Sequence, residues 1–397
     1  MSFMMVLKTC LHWMALSLLF GLMAACPPVD DDGGEEAPPE EPDVKPLCKN
    51  VDLAGPLTAT VEDVRLNVDP AAPGIAVALV YPYENIYRSV KAGSGLSDLS
   101  DPTFLIAEDT FQMGEITETF IAAGLLVLRT DGDLEMEQPL SDFLSEDVYG
   151  ALGSVGNVTL AQLARHESGL RGTYENDLSV DISPQAKIDA FVPDDTPGQV
   201  GERFYCSMNY VLLALVIEAV AQLNSWRSLG AWLNNHVGLS SMSKTAFPTS
   251  ESYNVIKGYE ATPGVQDQVE HYLDHAGAYY WGDRNLVSNV EEVAEWFHVL
   301  NTTQDVLRDA ERSDMLSFTD DYGMGTQLFG NLTEIPGELL GQKGGLPGYM
   351  AMVGHWPEAE ITVAMAVNQS GAVSIETLFA DVMNEFLEVT DCREVPY

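Results

Sequence analysis

The sequence predicts an α/β fold, a sheet domain that carries an inserted helical lobe. Three observations predict it. Gly74-Ile75-Ala76-Val77-Ala78-Leu79-Val80-Tyr81 is a continuous apolar run without a helical stripe, so it reads as a buried strand. Two more runs of this kind, Gly348–Gly354 and Ile361–Val367, lie near the other end of the chain, with Pro357–Glu360 as the turn between them. The long middle is rich in helical patterns and shows no internal repeat. Strands at both ends with helices between them describe one domain, from about Cys48 to the C-terminus.

The elements follow in order. Residues 1–26 read as a leader and not as part of the fold. Lys8 supplies a positive start, and Leu11–Leu22 is an apolar stretch too short for a confident membrane span. The stretch closes with Leu22-Met23-Ala24-Ala25-Cys26, which resembles a bacterial lipobox, with Met23 an imperfect match, in which Cys26 is diacylated and becomes the mature N-terminus; ordinary cleavage and an uncleaved anchor are the alternatives. The expected partner of the N-terminus is therefore a membrane, reached through a lipid anchor, and the expected location is a bacterial cell envelope.

Residues 27–47 are rich in Pro, Gly and acid and nearly lack apolar side chains. Such a segment cannot bury enough surface to offset its ordering entropy, so it reads as a disordered acidic linker. Within the domain, Asn85–Lys91 is the hairpin partner of the first strand. From Glu115 to Arg129, Ile116, Phe120, Ala123 and Val127 recur at helical spacing, and Gly132 is the stop signal. Tyr210–Ile217 is apolar all round and reads as a buried helix. Ile375–Leu387 is an amphipathic closing helix.

Composition narrows the function classes. The chain has 397 residues, 46% hydrophobic and 20% charged, as befits a globular protein. Its 60 acidic and 19 basic residues give a formal charge of -41. A surface of that sign repels nucleic acid and anionic headgroups, so neither is an expected partner. Acidity by itself names no substrate.

The motifs carry more. Phe111-Gln112-Met113-Gly114-Glu115-Ile116-Thr117-Glu118-Thr119-Phe120 resembles the segment F-x-I-G-S-x-T-K-T-F of the penicillin-recognising serine hydrolases, a family that includes class C β-lactamases, D-alanyl-D-alanine carboxypeptidases and related esterases. Further landmarks follow in the family's order. They include Val158-Thr159-Leu160 through His166-Glu167-Ser168-Gly169-Leu170, then Phe204-Tyr205-Cys206-Ser207-Met208-Asn209-Tyr210, Asn285-Leu286-Val287-Ser288, Tyr322-Gly323-Met324-Gly325 and Gly341-Gln342-Lys343-Gly344-Gly345-Leu346-Pro347-Gly348-Tyr349. The resemblance implies a β-lactamase/transpeptidase-like fold, with an antiparallel sheet flanked by helices and a helical lobe forming the other wall of a cleft. A cell-wall or small acyl compound is the expected ligand, and the residues point to no cofactor and no metal.

The departures fall on the chemical positions. In the family a serine attacks an acyl carbon, assisted by a lysine one helical turn later, by a Y-x-N triplet and by a His or Lys on the last strand. Here Glu115 stands at the serine position and Glu118 at the lysine position. Tyr205 is kept, Cys206 follows it, and Ser207 replaces the asparagine. Gln342 stands where His or Lys is expected; Lys343 is one residue out of register, and Gly344 and Gly345 are kept. The expectation is an inactive relative that binds a ligand or serves structurally. A divergent hydrolase of ester, amide or peptide bonds in the same cleft is the alternative.

Glu115 and Glu118, three residues apart, lie on one helix face, where like charges raise at least one pKa. They read first as a charge pair satisfied by Lys343 or water, and second as an acid/base pair or a hard-cation site. Cys206, in an acidic cleft, reads as an inert buried thiol. Ser241-Met242-Ser243-Lys244 is a literal S-x-x-K, but the family has no catalytic group in that loop. His166 belongs to a structural turn, and His271, Asp274 and His275 match no zinc spacing. Export places the thiols in an oxidising compartment. Because chain termini often lie close and the resembling fold packs its first and last elements together, a Cys48–Cys392 disulfide is the favoured expectation, with two unpaired cysteines as the alternative; Cys206 is then a free thiol.

Overall fold

A computed structural model describes residues 53–83, 86–174, 183–249, 255–262, 269–271, 280–330, 332–333 and 337–390. The leader, Cys26, the linker, Cys48, Cys392 and the side chains of His271, Asp274 and His275 lie outside the described residues.

The largest sheet among the described residues has seven antiparallel strands: β1 (Gly74–Tyr83), β2 (Ile86–Asp98), β3 (Thr103–Phe104), β4 (Gln327–Leu328), β5 (Leu340–Leu346), β6 (Tyr349–Trp356) and β7 (Ile361–Val367). Their spatial order is β4-β5-β6-β7-β1-β2-β3. N-terminal and C-terminal strands meet at the centre, where Ile75 pairs with Val367 and Val80 with Thr362. The expected antiparallel sheet is therefore joined at its centre by an early and a late strand. Two expectations need correcting. The hairpin partner β2 runs to Asp98, well beyond Lys91. The strand of Gln342 is β5, which is not the last strand, since β6 and β7 follow it.

The apolar run of β1 has a simple cause. Ala76, Ala78 and Val80 face one core, whereas Ile75, Val77, Leu79 and Tyr81 face another. In β7, Ala364 and Ala366 face the first core and Val363, Met365 and Val367 the second. A strand covered on both faces must be apolar at every position. The second core is roofed by two helices, α1 (Ala54–Asn67) and the C-terminal helix Ile375–Thr390. In the C-terminal helix, Ile375, Leu378, Phe379, Val382, Met383, Phe386 and Leu387 are buried at the expected spacing. Helix α1, with buried Leu57, Val61 and Val64, was not read from the sequence. Its hydrophobic pattern is weak, and the sheet supplies what the local signal lacks.

The first core holds the helical lobe. Helix α2 (Ile116–Asp131) ends as expected at Gly132, whose φ of 82° is the left-handed cap conformation that favours glycine. Helix α3 (Met208–Val220) is buried on nearly all sides, as its composition requires. Helix α4 (Val290–Thr302) lies beneath the sheet, and its Trp296 stacks on Phe120 of α2 at 3.7 Å between ring centroids. Asn289 caps α4, accepting the backbone N–H of Glu292.

Candidate active-site cleft

The start of α2 is held from two sides. On one, Phe111 pairs with Ser288, Met113 N–H donates to Leu286 O, and Leu286 N–H donates to the Thr117 hydroxyl. On the other, strand β5 passes so close that a Cβ on residue 344 would lie 2.1 Å from Met113 O. Gly114 has φ 56°, and a Cβ there would lie 2.6 Å from Gly345 N. Glycine is therefore required at both contact points, and Gly344 and Gly114 keep the helix start seated on the strand. The result is that Glu115 and Glu118 are aimed into a cavity of about 530 Å³ between sheet and lobe.

Tyr205, Tyr322, Arg203, Gln342, Lys343, Gly344, Gly345 and Glu376 are among the residues that line this cavity with the two glutamates. Four family-site positions, at 115, 118, 205 and 342, thus converge. Cys206 and Ser207 do not line it. The Cys206 thiol is buried behind Tyr205, and burial pushes its pKa to about 11.

Glu118 is fully buried. Its Oε2 accepts from the Tyr322 hydroxyl at 2.8 Å and from Gln342 Nε2 at 3.4 Å, and its Oε1 accepts from the Tyr205 hydroxyl at 3.2 Å. Burial, and next Glu118 itself, push both tyrosines well above the ordinary phenol range, so both remain donors. His166 completes the enclosure. Its Nδ1 accepts from the Cys206 N–H and faces Asn209 Nδ2 at 3.0 Å, so the ring proton sits on Nε2, which lies 3.2 Å from the Tyr322 oxygen and 3.5 Å from Glu118 Oε2. Asn209 is fixed in turn, since its Oδ1 accepts from Ser168.

Glu115 is half-buried and lines the cavity. Its Oε2 accepts the Gly345 N–H at 2.7 Å, and its Oε1 lies 3.5 Å from the Tyr205 hydroxyl. The protein crowded around it pushes its pKa up to about 7, Glu118 adds to the rise, and the Arg284 charge opposes it. The expected rise in one of the pair thus falls on Glu115, with burial as the larger cause.

One expectation fails. Lys343 does not satisfy the acid pair; its Nζ turns across the cavity to Glu376. The acid pair is satisfied instead by two phenols, the Gln342 amide and a backbone N–H. Sequence reading also missed His166, Tyr322 and Arg284 as site residues. His166 and Tyr322 stood inside quoted motifs as landmarks, and no spacing tied either to Glu118. The literal S-x-x-K lies elsewhere, where the backbone N–H groups of Ser243 and Lys244 donate to the Glu292 carboxylate. No cluster of metal-ligating residues occurs among the described residues.

A family model for beta-lactamases matches residues 59–381. The chain belongs to the beta-lactamase family. Among sequence relatives, protein flp of Staphylococcus aureus (strain NCTC 8325 / PS 47) is 23% identical over 233 residues, covering 56% of this chain and 44% of flp. A beta-lactamase of Providencia stuartii is 29% identical over 154 residues, covering 38% of this chain and 37% of that enzyme. The chain thus spans less than half the length of these curated relatives. Among solved structures, D-amino acid amidase of Ochrobactrum anthropi SV3, complexed with L-phenylalanine, superposes with a TM-score of 0.71 at 18% identity, over 86% of this chain and all of the amidase. The octameric penicillin-binding protein homologue of Pyrococcus abyssi does so with a TM-score of 0.67 at 20% identity, over 86% of this chain and 78% of that one. The fold is therefore β-lactamase/transpeptidase-like, and this beta-lactamase-family chain has the mixed helix and antiparallel-sheet architecture its motifs predicted.

Proposed function

We propose that this beta-lactamase-family chain binds an acyl ligand in its cleft without cleaving it, as a lipid-anchored protein of a bacterial envelope. One observation carries the reading. The position of the family's base holds Glu118, sealed from solvent with its oxygens already engaged by the Tyr322, Tyr205 and Gln342 donors, so the lysine that would draw a proton from a nucleophile at residue 115 is replaced by a structural acceptor. Glu115 brings no hydroxyl, and its own oxygen takes the Gly345 N–H that a developing oxyanion would need. Attack by the Glu115 carboxylate would move its charge onto an oxyanion that still faces Glu118. The Lys343 charge is engaged by Glu376.

The names of the relatives supply the ligand class, since beta-lactamase, penicillin-binding protein and D-amino acid amidase all imply acyl compounds. Residues Leu22–Cys26 supply the anchor reading, and palmitate labelling that disappears in Cys26→Ala tests it.

A second reading rests on Glu115. A carboxyl near pH 7 with solvent contact is suited to general acid–base work on a water molecule. A fluorescent penicillin and p-nitrophenyl acetate separate the two readings. The binding reading expects neither covalent labelling nor hydrolysis above the buffer rate. Labelling or turnover that is lost in Glu115→Ala would overturn it.

A further inference from the structure

The contact between Glu115 and Gly345 has the geometry of a plug. Gly345 lines the cavity, its N–H points to Glu115 Oε2 at 2.7 Å, and a Cβ at this position would meet nothing within 4 Å. Open space therefore lies beside a backbone donor whose hydrogen is already taken. A bond from an N–H to a carboxylate is roughly twice as strong as one to a neutral carbonyl. A neutral acyl ligand cannot displace a carboxylate from that donor, but it can displace a carboxylic acid.

We propose that Glu115 is an internal plug of the cleft, releasing the Gly345 N–H to the carbonyl oxygen of a neutral acyl ligand only on taking up a proton. The inference rests on the binding reading above. Binding then consumes one proton, and the protonated Glu115 can donate to the ligand in return.

The surroundings favour such an exchange. From α2, Glu118 lies one turn away and makes a second negative charge unfavourable. From the segment before α3, the Tyr205 hydroxyl lies within 3.5 Å of both glutamates and can shift between them. From β5, Gln342 is turned to Glu118 and Tyr322, and Lys343 to Glu376. Arg284 is the cation whose charge opposes protonation, and Arg203 stands at the rim over the Tyr322 ring. Burial outweighs Arg284 and brings the Glu115 titration to about pH 7.

The test uses the neutral probe N-acetyl-D-phenylalanine amide with the wild type, Glu115→Gln and Glu115→Ala, each checked for fold by circular dichroism. Two quantities are followed from pH 6 to pH 8.5: probe affinity by calorimetry and the Gly345 amide resonance by NMR. The plug expects the wild-type amide to titrate near pH 7 and the wild-type Kd to rise about tenfold per pH unit above it. Both variants should bind with a flat pH profile, at least as tightly as the wild type at pH 6. A pH-independent wild-type Kd overturns the plug and leaves the binding reading intact. Absence of binding by wild type and variants at every pH overturns the binding reading, and the plug with it.

Discussion

The Tyr322 hydroxyl donates to Glu118 Oε2 at 2.8 Å, and both side chains are almost wholly removed from solvent. The pair joins the Tyr322–Gly325 landmark to the first turn of α2. The same landmark touches α2 again where Thr119 Oγ1 donates to Gly325 O. A residue lying where the family keeps a base thus acts as a structural acceptor.

Removing the donor should therefore show as lost stability. Tyr322→Phe leaves a buried carboxyl short of its strongest partner, at a cost of about 2 kcal/mol in urea unfolding. Tyr205→Phe should cost less, because Tyr205 is 46% exposed and donates at the longer distance of 3.2 Å. Equal losses for the two variants would show that the Glu118–Tyr322 bond is not the dominant one.

Restoring the family's groups should restore chemistry. In Glu115→Ser with Glu118→Lys and Gln342→His, the new lysine would meet the Tyr205 and Tyr322 hydroxyls, and the Gly345 N–H would be freed from Glu115. p-Nitrophenyl acetate hydrolysis about 10²-fold above the wild type is the expected outcome, the scale of one positioned general base. A folded but silent triple variant would show that the loss extends beyond these three positions.

Acid should destabilise the protein through two histidines that do not line the cleft. His298 of α4 and His355 of β6 both contact Thr362 Oγ1, at 3.2 and 2.8 Å. Burial holds His298 at about 4 and His355 at about 3, against an ordinary value of 6.5. An imidazole depressed in the fold binds its proton more readily once the chain unfolds. Their contribution is therefore intact above pH 6.5 and declines as pH falls through 6.5 toward 4 and then 3, by about 1.4 kcal/mol per pH unit for each group. Unfolding free energy measured from pH 7 to pH 4 should fall less steeply in His355→Asn than in the wild type. Parallel slopes would remove His355 from the account.

The buried ion pair of Lys187 and Asp283 should be costly to break. Lys187 Nζ meets Asp283 Oδ1 at 2.5 Å, and neither side chain reaches solvent. Burial lowers the Lys187 pKa to about 8, and Asp283 is the main group opposing that fall. Asp283→Asn leaves the ammonium without this counter-charge, and a loss of about 3–5 kcal/mol in thermal or denaturant unfolding is expected. A loss below about 1 kcal/mol would show that Lys187 gives up its proton in the variant.

Much of the fold was legible because it rests on local patterns. The two-sided burial of β1 and β7 forces a continuous apolar run, and the one-sided burial of the C-terminal helix forces apolar residues three and four apart; both are visible in a one-dimensional string. Helix α1 was not, because its apolar pattern is weak and its place is set by the sheet beneath it. The sequence alone also determined that carboxyls stand at residues 115 and 118, and that Phe111, Gly114, Thr117 and Phe120 keep the helix start in the family's pattern. Only the tertiary structure decided what those carboxyls do. Donors to Glu118 come from Tyr205, Tyr322 and Gln342, between 87 and 224 residues away along the chain, and the N–H that holds Glu115 is 230 residues distant. Lys343, adjacent in the motif, was turned away to Glu376 by the course of β5 and the C-terminal helix. Hydrogen bonding and burial act over a few ångströms, whereas sequence records only order along the chain. A pair of like charges could therefore be read from residue types, but its satisfaction, and the rise of Glu115 to about 7, depended on which distant groups the fold brought beside it.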